Sequence, residues 1–286
     1  MATILDGKAL AQRIKGELKE EIQNLKRLVG REPGLAVVLV GDDPASEIYV
    51  RNKEKTCEEL GIKSVGIRRP SSISQKELED IIDSLNERED IDGILVQLPL
   101  PEHLDSQRVI NLISPSKDVD GFHPVNMGKV VLGLFEEGLM PCTPYGVIKI
   151  FEAYGIKLQG KNAVMVGHSN IVGKPLANMM VNLNATVSVC HVYTKDLKSY
   201  TKEADVLCVA TGVPHLIKED MVKEGAVVVD IGISRVNGKI VGDVDFEKVK
   251  NKVSAITPVP GGVGPMTIAM LMYNTVKAFK RRERVD

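Results

Sequence analysis

Neither sign of charge is in excess. The chain has 37 Lys and Arg against 38 Asp and Glu in 286 residues, a net charge of −1. Nucleic acid and anionic membrane surfaces demand clustered positive charge, so neither is expected as the main partner. Long apolar runs are missing too. Segments 35–40 and 226–229 fall well short of the ~18 residues of a membrane span and read as buried strands. The first fifteen residues include Asp6 and show no apolar core or small-residue cleavage site, so no secretory leader is expected and the cytoplasm is the expected location. Cys57, Cys142, Cys190 and Cys208 form no Cys-x-x-Cys pair, which argues against a zinc site or disulfide framework and for isolated buried thiols. There is no internal repeat and no low-complexity tract.

The rest of the composition is ordinary for a globular protein, 43% hydrophobic and 26% charged, and the length suits two domains. Leu10, Ile14, Leu18, Ile22 and Leu25 recur every three or four positions, predicting an amphipathic helix that ends near Gly30. Apolar segments at 35–40, 64–67, 93–96 and 163–166 alternate with helical stretches, the pattern of parallel strands with helical crossovers. Two of those helices are expected at 46–60 and 74–86. The second opens with a Ser74–Glu77 capping box. Prolines at 99, 101, 115, 124, 141 and 144 place a domain boundary within 115–142. Strands are expected again at 161–166, 186–190, 205–210 and 226–231, with a helix over 172–183 after the first. The run 258–265 breaks regular structure before a last helix over 266–280.

Several features could carry chemistry. The strand ending at Val166 runs into Gly167-His168-Ser169-Asn170-Ile171-Val172-Gly173 and a helix, whose first N–H groups could meet a phosphate. The spacing departs from G-x-G-x-x-G, so a plain strand–helix turn competes with that reading. An NAD-binding domain would place an acid at the end of its second strand; here the strand runs into His191-Val192-Tyr193-Thr194-Lys195. That absence suits a 2′-phosphate contacted by Lys195 or protonated His168, and equally a domain that binds no nucleotide. Tyr49 and Lys53 lie one helical turn apart, a proton-transfer pair only if the amine's pKa is lowered, and otherwise surface residues. Gln97 closes a strand, where it could orient a lysine or satisfy loop backbone. Asp118-Val119-Asp120-Gly121 does not fit a calcium loop, because Phe122 and Lys129 fall where oxygen ligands are required, and no metal is expected. An Asp-Gly turn is the alternative. Pro260-Gly261-Gly262-Val263-Gly264-Pro265 combines close backbone approach with stiffness, as a ligand loop or a rigid connection would.

Together these segments resemble the bifunctional methylenetetrahydrofolate dehydrogenase/methenyltetrahydrofolate cyclohydrolase family over essentially the whole chain. The resemblance is carried by Gly41-Asp42-Asp43-Pro44-Ala45-Ser46, Tyr49-Val50-Arg51-Asn52-Lys53, Val96-Gln97-Leu98-Pro99-Leu100-Pro101, Lys117-Asp118-Val119-Asp120-Gly121-Phe122 and Pro258-Val259-Pro260-Gly261-Gly262-Val263-Gly264-Pro265-Met266-Thr267, in that order. It implies an α/β fold of two domains with a cleft between them. Residues 1–120 plus 265–286 would form the catalytic, folate-binding domain, and 140–264 a Rossmann-like nucleotide-binding domain with a doubly wound parallel sheet. It further implies a homodimer, and a cytoplasmic one-carbon enzyme that supplies purine, methionine and histidine synthesis.

By the same resemblance Lys53 is the catalytic acid/base, Gln97 orients it, Tyr49 stacks on or positions the folate, and Asp120 hydrogen-bonds the pterin. Pro260, Gly261 and Gly262 lie along the substrate; Gly167, Ser169 and Ile233 contact the nucleotide. His168 and Val192 stand near its 2′-phosphate, where many members have Arg and Ser. NADP is the expected cofactor, with NAD the alternative. Three other readings compete. A nucleophile elbow at Ser169 fails because its fifth position is Ile171. A short-chain dehydrogenase would carry Tyr-x-x-x-Lys after the nucleotide turn, and here the pair comes over a hundred residues before it. A folate or nucleotide sensor that catalyses nothing would need no reactive lysine.

Overall fold

A computed structural model describes residues 2–285; Met1 and Asp286, the outer limits of the expected folate domain, lie outside the described residues. In chain order the elements begin with β1 (Thr3–Ile4), α1 (Gly7–Val29), β2 (Gly34–Val40), α2 (Pro44–Leu60), β3 (Lys63–Arg69), α3 (Gln75–Glu87), β4 (Gly93–Val96), α4 (Ser106–Leu112) and α5 (Pro124–Val131). There follow α6 (Cys142–Ala153), β5 (Asn162–Val166), α7 (Gly173–Asn182), β6 (Thr186–Cys190), α8 (Leu197–Thr201), β7 (Val206–Val209), β8 (Val227–Asp230), β9 (Ser234–Val236), β10 (Lys239–Val241), α9 (Phe246–Val249), β11 (Ala255–Ile256) and α10 (Val263–Glu283). The chain divides into two compact α/β units. One comprises residues 13–129, 134–142 and 268–285, the other 2–12, 130–133 and 143–267.

The first unit holds a parallel three-stranded sheet ordered β3-β2-β4. All seven residues of the central strand β2 are buried, as expected where neighbours cover both faces of a parallel sheet. A core of Val38, Leu78, Ile82, Ile94 and Val109 joins this sheet to α3 and α4. The caps are local. Asp43 accepts from Ser46 N–H at 2.8 Å to open α2, with Pro44 in its first turn. The expected capping box opens α3, Ser74 Oγ accepting from Glu77 N–H while Glu77 accepts from Ser74 N–H. Buried Asp92 accepts from Nη1 and Nη2 of Arg31, at 2.8 and 2.9 Å, and from Arg282 at 2.7 Å, tying the end of α10 to the start of β2.

The second unit holds a six-stranded, all-parallel sheet ordered β1-β11-β8-β7-β5-β6. Its first two strands in sequence, β5 and β6, are adjacent. The chain then returns to the other side of β5 with β7 and continues outward through β8. That reversal is the switch point of a doubly wound Rossmann-like sheet, where ligands bind beyond the carboxyl ends of the strands. The opening residues, which the resemblance groups with the folate domain, here pair as β1 with β11 (Thr3 with Ala255, Ile4 with Ile256). A two-residue strand has no periodicity to announce it.

Lys117 is a buried cation that shapes the first unit. Its ammonium donates to the carbonyls of Leu85, Asn86 and Arg88 at 3.1, 2.7 and 2.7 Å, closing the C-terminal end of α3. Lys117→Met leaves those acceptors without a donor and is expected to cost about 2–3 kcal/mol. The check is a lowered urea midpoint with an unchanged slope; an unchanged midpoint would show that water replaces the ammonium without penalty.

Candidate functional site

In the first unit, α2 presents Tyr49 and Lys53 one turn apart while Val50, Cys57 and Leu60 are buried. Tyr49 is 45% exposed and Lys53 is half-buried. Lys53 donates to Gln97 Oε1 at 3.0 Å. Gln97 follows β4, and its backbone N–H continues the ladder by donating to Val38 O at 2.9 Å. Its side-chain Nε2 donates to Leu98 O at 2.7 Å, which turns Oε1 toward the lysine. The amide thus fixes the amine's direction without adding a counter-charge.

The two acids of Asp118-Val119-Asp120-Gly121 have different tasks. Asp118 is buried and accepts from Phe122 N–H at 3.2 Å, His123 N–H at 2.8 Å and Asn126 Nδ2 at 2.9 Å, so it holds the turn together. Asp120 keeps some exposed surface, but the protein packed around its carboxyl pushes its pKa up to about 6. The charge on Lys53 pulls the other way and Asp118 adds to the rise, so Lys53 and Asp120 act on one another electrostatically. Gly121 sits at φ +75°, where a Cβ would lie 2.5 Å from the Met140 carbonyl carbon. The Asp-Gly turn is therefore built by Asp118 and Gly121, and its hydrogen bonds do not use the Asp120 carboxyl.

Two contributors are absent from the sequence expectations. Asn274 on α10 is buried and donates to Val119 O and Met140 O, both at 2.8 Å, clamping the segment that carries Asp120. Cys142 donates to Val119 O at 3.2 Å, and burial together with the Asp120 charge drives its thiol well above its ordinary pKa. Cys142 was expected only as a buried thiol. The one clue to Asn274 is a polar residue inside the apolar run Met270, Leu271, Met272, Thr275, Val276.

In the second unit, Gly167 ends β5 at φ +115°, and a Cβ there would lie 2.2 Å from Ala210 O at the end of β7. This close approach at the switch point borders a pocket of about 530 Å³ lined by Gly167, His168, Ser169, His191, Val192 and Thr211 among others. Apolar walls (Leu197, Val213, Leu216) beside hydroxyls at Ser169, Thr194 and Thr211 suit a nucleoside, so the residues fit a nicotinamide nucleotide. The amides at the start of α7 are partly committed, Val172 and Gly173 donating to Ser169 Oγ at 3.2 and 3.3 Å. The His168 and His191 rings lie 4.8 Å apart, a pairing the sequence did not suggest. Buried Asp243, also unforeseen, accepts from Thr211 N–H and Oγ1 at 2.6 and 2.8 Å and from Gly212 N–H at 3.0 Å, fixing one wall.

Ile233 is exposed beyond the end of β8 and does not line this pocket. Pro260, Gly261 and Gly262 form a separate loop of the same unit, with Lys8 N–H donating to Gly261 O at 2.9 Å. The structure therefore gathers Tyr49, Lys53, Gln97 and Asp120 in one unit, and Gly167, His168, Ser169 and Val192 in the other.

Comparison with known proteins adds to this geometry. A family model described as tetrahydrofolate dehydrogenase/cyclohydrolase, catalytic domain, matches residues 5–120, and a model for the NAD(P)-binding domain of the same family matches residues 141–283. The chain is 61% identical over 282 residues to a bifunctional protein FolD of Aquifex aeolicus, covering 99% of this chain and 97% of that one. It resembles the crystal structure of the bifunctional enzyme FolD, methylenetetrahydrofolate dehydrogenase/cyclohydrolase, from Campylobacter jejuni, with TM-score 0.97, 57% identity and coverage of 99% and 100%. A Trypanosoma brucei methylenetetrahydrofolate dehydrogenase-cyclohydrolase complexed with NADP and an inhibitor is similar at TM-score 0.94 and 37% identity, with 99% of each chain covered.

Proposed function

This chain belongs to the tetrahydrofolate dehydrogenase/cyclohydrolase family, and from that premise we propose that it oxidises 5,10-methylenetetrahydrofolate with NADP, or NAD, and hydrolyses the resulting 5,10-methenyltetrahydrofolate to 10-formyltetrahydrofolate. The observation that carries the proposal is Lys53 directed by Gln97 beside an acid of raised pKa, on the motif residues that match the family.

Hydride removal asks little proton chemistry of the protein. Its share is to hold the reacting carbons about 3–3.5 Å apart. A nicotinamide nucleotide held in the second unit's pocket would supply the hydride acceptor for the one-carbon bridge. Gly167, His168, Ser169 and Val192 would hold the nucleotide along the pocket, and Ile233, outside its lining, would be a further contact by the family resemblance alone. Tyr49 packs on the folate, Asp120 binds the pterin's N–H groups, and Pro260, Gly261 and Gly262 lie along the substrate.

In the hydrolytic step water adds to the methenyl carbon and a C–O bond forms. The Lys53 amine, in its neutral form, takes a proton from that water and returns it to the departing ring nitrogen as the C–N bond opens, while the remaining hydroxyl proton passes to solvent as the formyl C=O forms, so one proton is released per turnover. Gln97 keeps the amine aimed through both transfers.

We also propose a cytoplasmic homodimer that supplies one-carbon units for purine, methionine and histidine synthesis. The edge strand β6 exposes Val189, and Val131, Leu132 and Val181 of the same unit are exposed as well, an apolar surface that a second copy would cover. No helix among the described residues is long and apolar enough to cross a membrane. The test is direct: purified protein with 5,10-methylenetetrahydrofolate should reduce NADP and clear methenyl absorbance. Absence of both activities overturns the proposal, and light scattering decides the dimer.

A further inference from the structure

We infer that the choice between a 2′-phosphorylated and an unphosphorylated nicotinamide nucleotide is set by protonation of the His168–His191 pair. The inference rests on the proposed assignment of the 530 Å³ pocket to the nucleotide. His168 follows β5 and His191 follows β6, adjacent parallel strands in which Val166 pairs with Cys190. Both rings therefore stand at the carboxyl edge of the sheet, where the second strand delivers the side chain that reads the ribose. An acid at that place holds a ribose 2′-hydroxyl and repels a phosphate; here the place is taken by His191.

Among the described residues lining the pocket, the two imidazoles are the only titratable groups. The hydroxyls of Ser169, Thr194 and Thr211 can donate but carry no charge. Within the lining, full positive charge opposite a phosphate dianion comes only from an imidazolium. The other charged neighbours stand outside that lining. Lys195 and Asp196, on the turn after His191, are exposed and outside the lining, and Asp196 accepts from Ser199 N–H at 3.2 Å. Lys174 on α7 donates to Asn170 Oδ1 at 2.7 Å. Tyr193 meets His191 edge-on at 5.9 Å, and His215, in the loop after β7, does not line the pocket.

The pair is not symmetric. His191 Nδ1 accepts from Tyr193 N–H at 3.2 Å, a bond that protonation there would break. With the rings 4.8 Å apart a second imidazolium is opposed by like charge until a phosphate arrives to share it. Binding of the 2′-phosphate is consequently linked to proton uptake, and by reciprocity higher pH weakens it. A phosphate monoester completes its charge near ~6, so on the alkaline side the phosphate gains nothing further while an imidazolium is lost, and preference for the phosphorylated nucleotide falls.

Calorimetric titration of the full chain with NADP and with NAD, between pH 6.5 and 8.5, tests this without turnover. The NADP dissociation constant should rise about tenfold or more while that of NAD changes little. Paired buffers of different ionisation enthalpy should report proton uptake with NADP at pH 7.5 and almost none with NAD. His168→Arg should keep NADP binding flat across the range, and the double variant His168→Gln/His191→Gln should bind the two nucleotides alike at every pH. NADP and NAD affinities that move in parallel, or NADP binding without proton uptake, would overturn the inference while leaving the pocket's assignment intact. If neither nucleotide binds at any pH, the assignment itself fails and the inference with it.

Discussion

Replacing Lys53 with methionine is expected to lower the rate of 5,10-methenyltetrahydrofolate hydrolysis by about 10²–10⁴-fold, the usual contribution of a positioned acid/base. Methionine keeps much of the chain length and removes the one atom that can carry the proton. Helix α2 should survive the change, because its anchors are the Asp43 cap and buried Val50, Cys57 and Leu60, not the lysine. Nucleotide affinity should be untouched, since no residue lining the nucleotide pocket is altered. Two measurements decide it: single-turnover decay of methenyl absorbance and calorimetric binding of NADP. Hydrolysis at the wild-type rate would remove Lys53 from the mechanism; lost hydrolysis together with lost NADP binding would point to a damaged fold instead.

Asp120→Asn should move activity and stability in opposite directions. The carboxyl has a pKa of about 6 in the folded chain and an ordinary value of about 3.8 when unfolded. Above pH 6 both states are ionised and the fold bears the full cost of a desolvated charge. That cost is relieved as the pH falls from 6 toward 3.8, where both states are protonated. A neutral amide removes it, so the variant should be about 1–3 kcal/mol more stable at pH 7.5, with the advantage vanishing near pH 4. Activity should drop, because an amide replaces a charged acceptor for the pterin, lowering kcat/KM for the folate by about 10–100-fold. Thermal melts at the two pH values and steady-state kinetics in the methylene-to-methenyl direction test both halves. A variant less stable at pH 7.5 would mean that the carboxylate supports the fold.

Features made by near neighbours were open to reading from the chain alone. The Ser74–Glu77 box, the Asp43–Pro44 helix start, the buried β2 run and the Tyr49–Lys53 spacing all involve residues within a few positions of one another. Helix α10 begins at Val263, three residues before the expected start at Met266, because the Gly-Pro run that breaks the preceding structure does not stop Gly264 and Pro265 from entering a first turn. The hairpin of β9 and β10 went unannounced despite its Asn237-Gly238 turn, since strands of three residues are too short to show alternation.

The sequence by itself determined the order of the longer strands and helices and the helix caps, because periodicity and capping are short-range properties, and its resemblance to the family made Lys53, Gln97 and Asp120 candidates. Only the tertiary structure decided that Asp118 braces the turn while Asp120 keeps a titratable carboxyl, that Asn274 clamps Val119 from 155 positions away, and that His168 faces His191. Burial, and with it the shift of a pKa, depends on what packs around a group in three dimensions, and chain separation does not predict that.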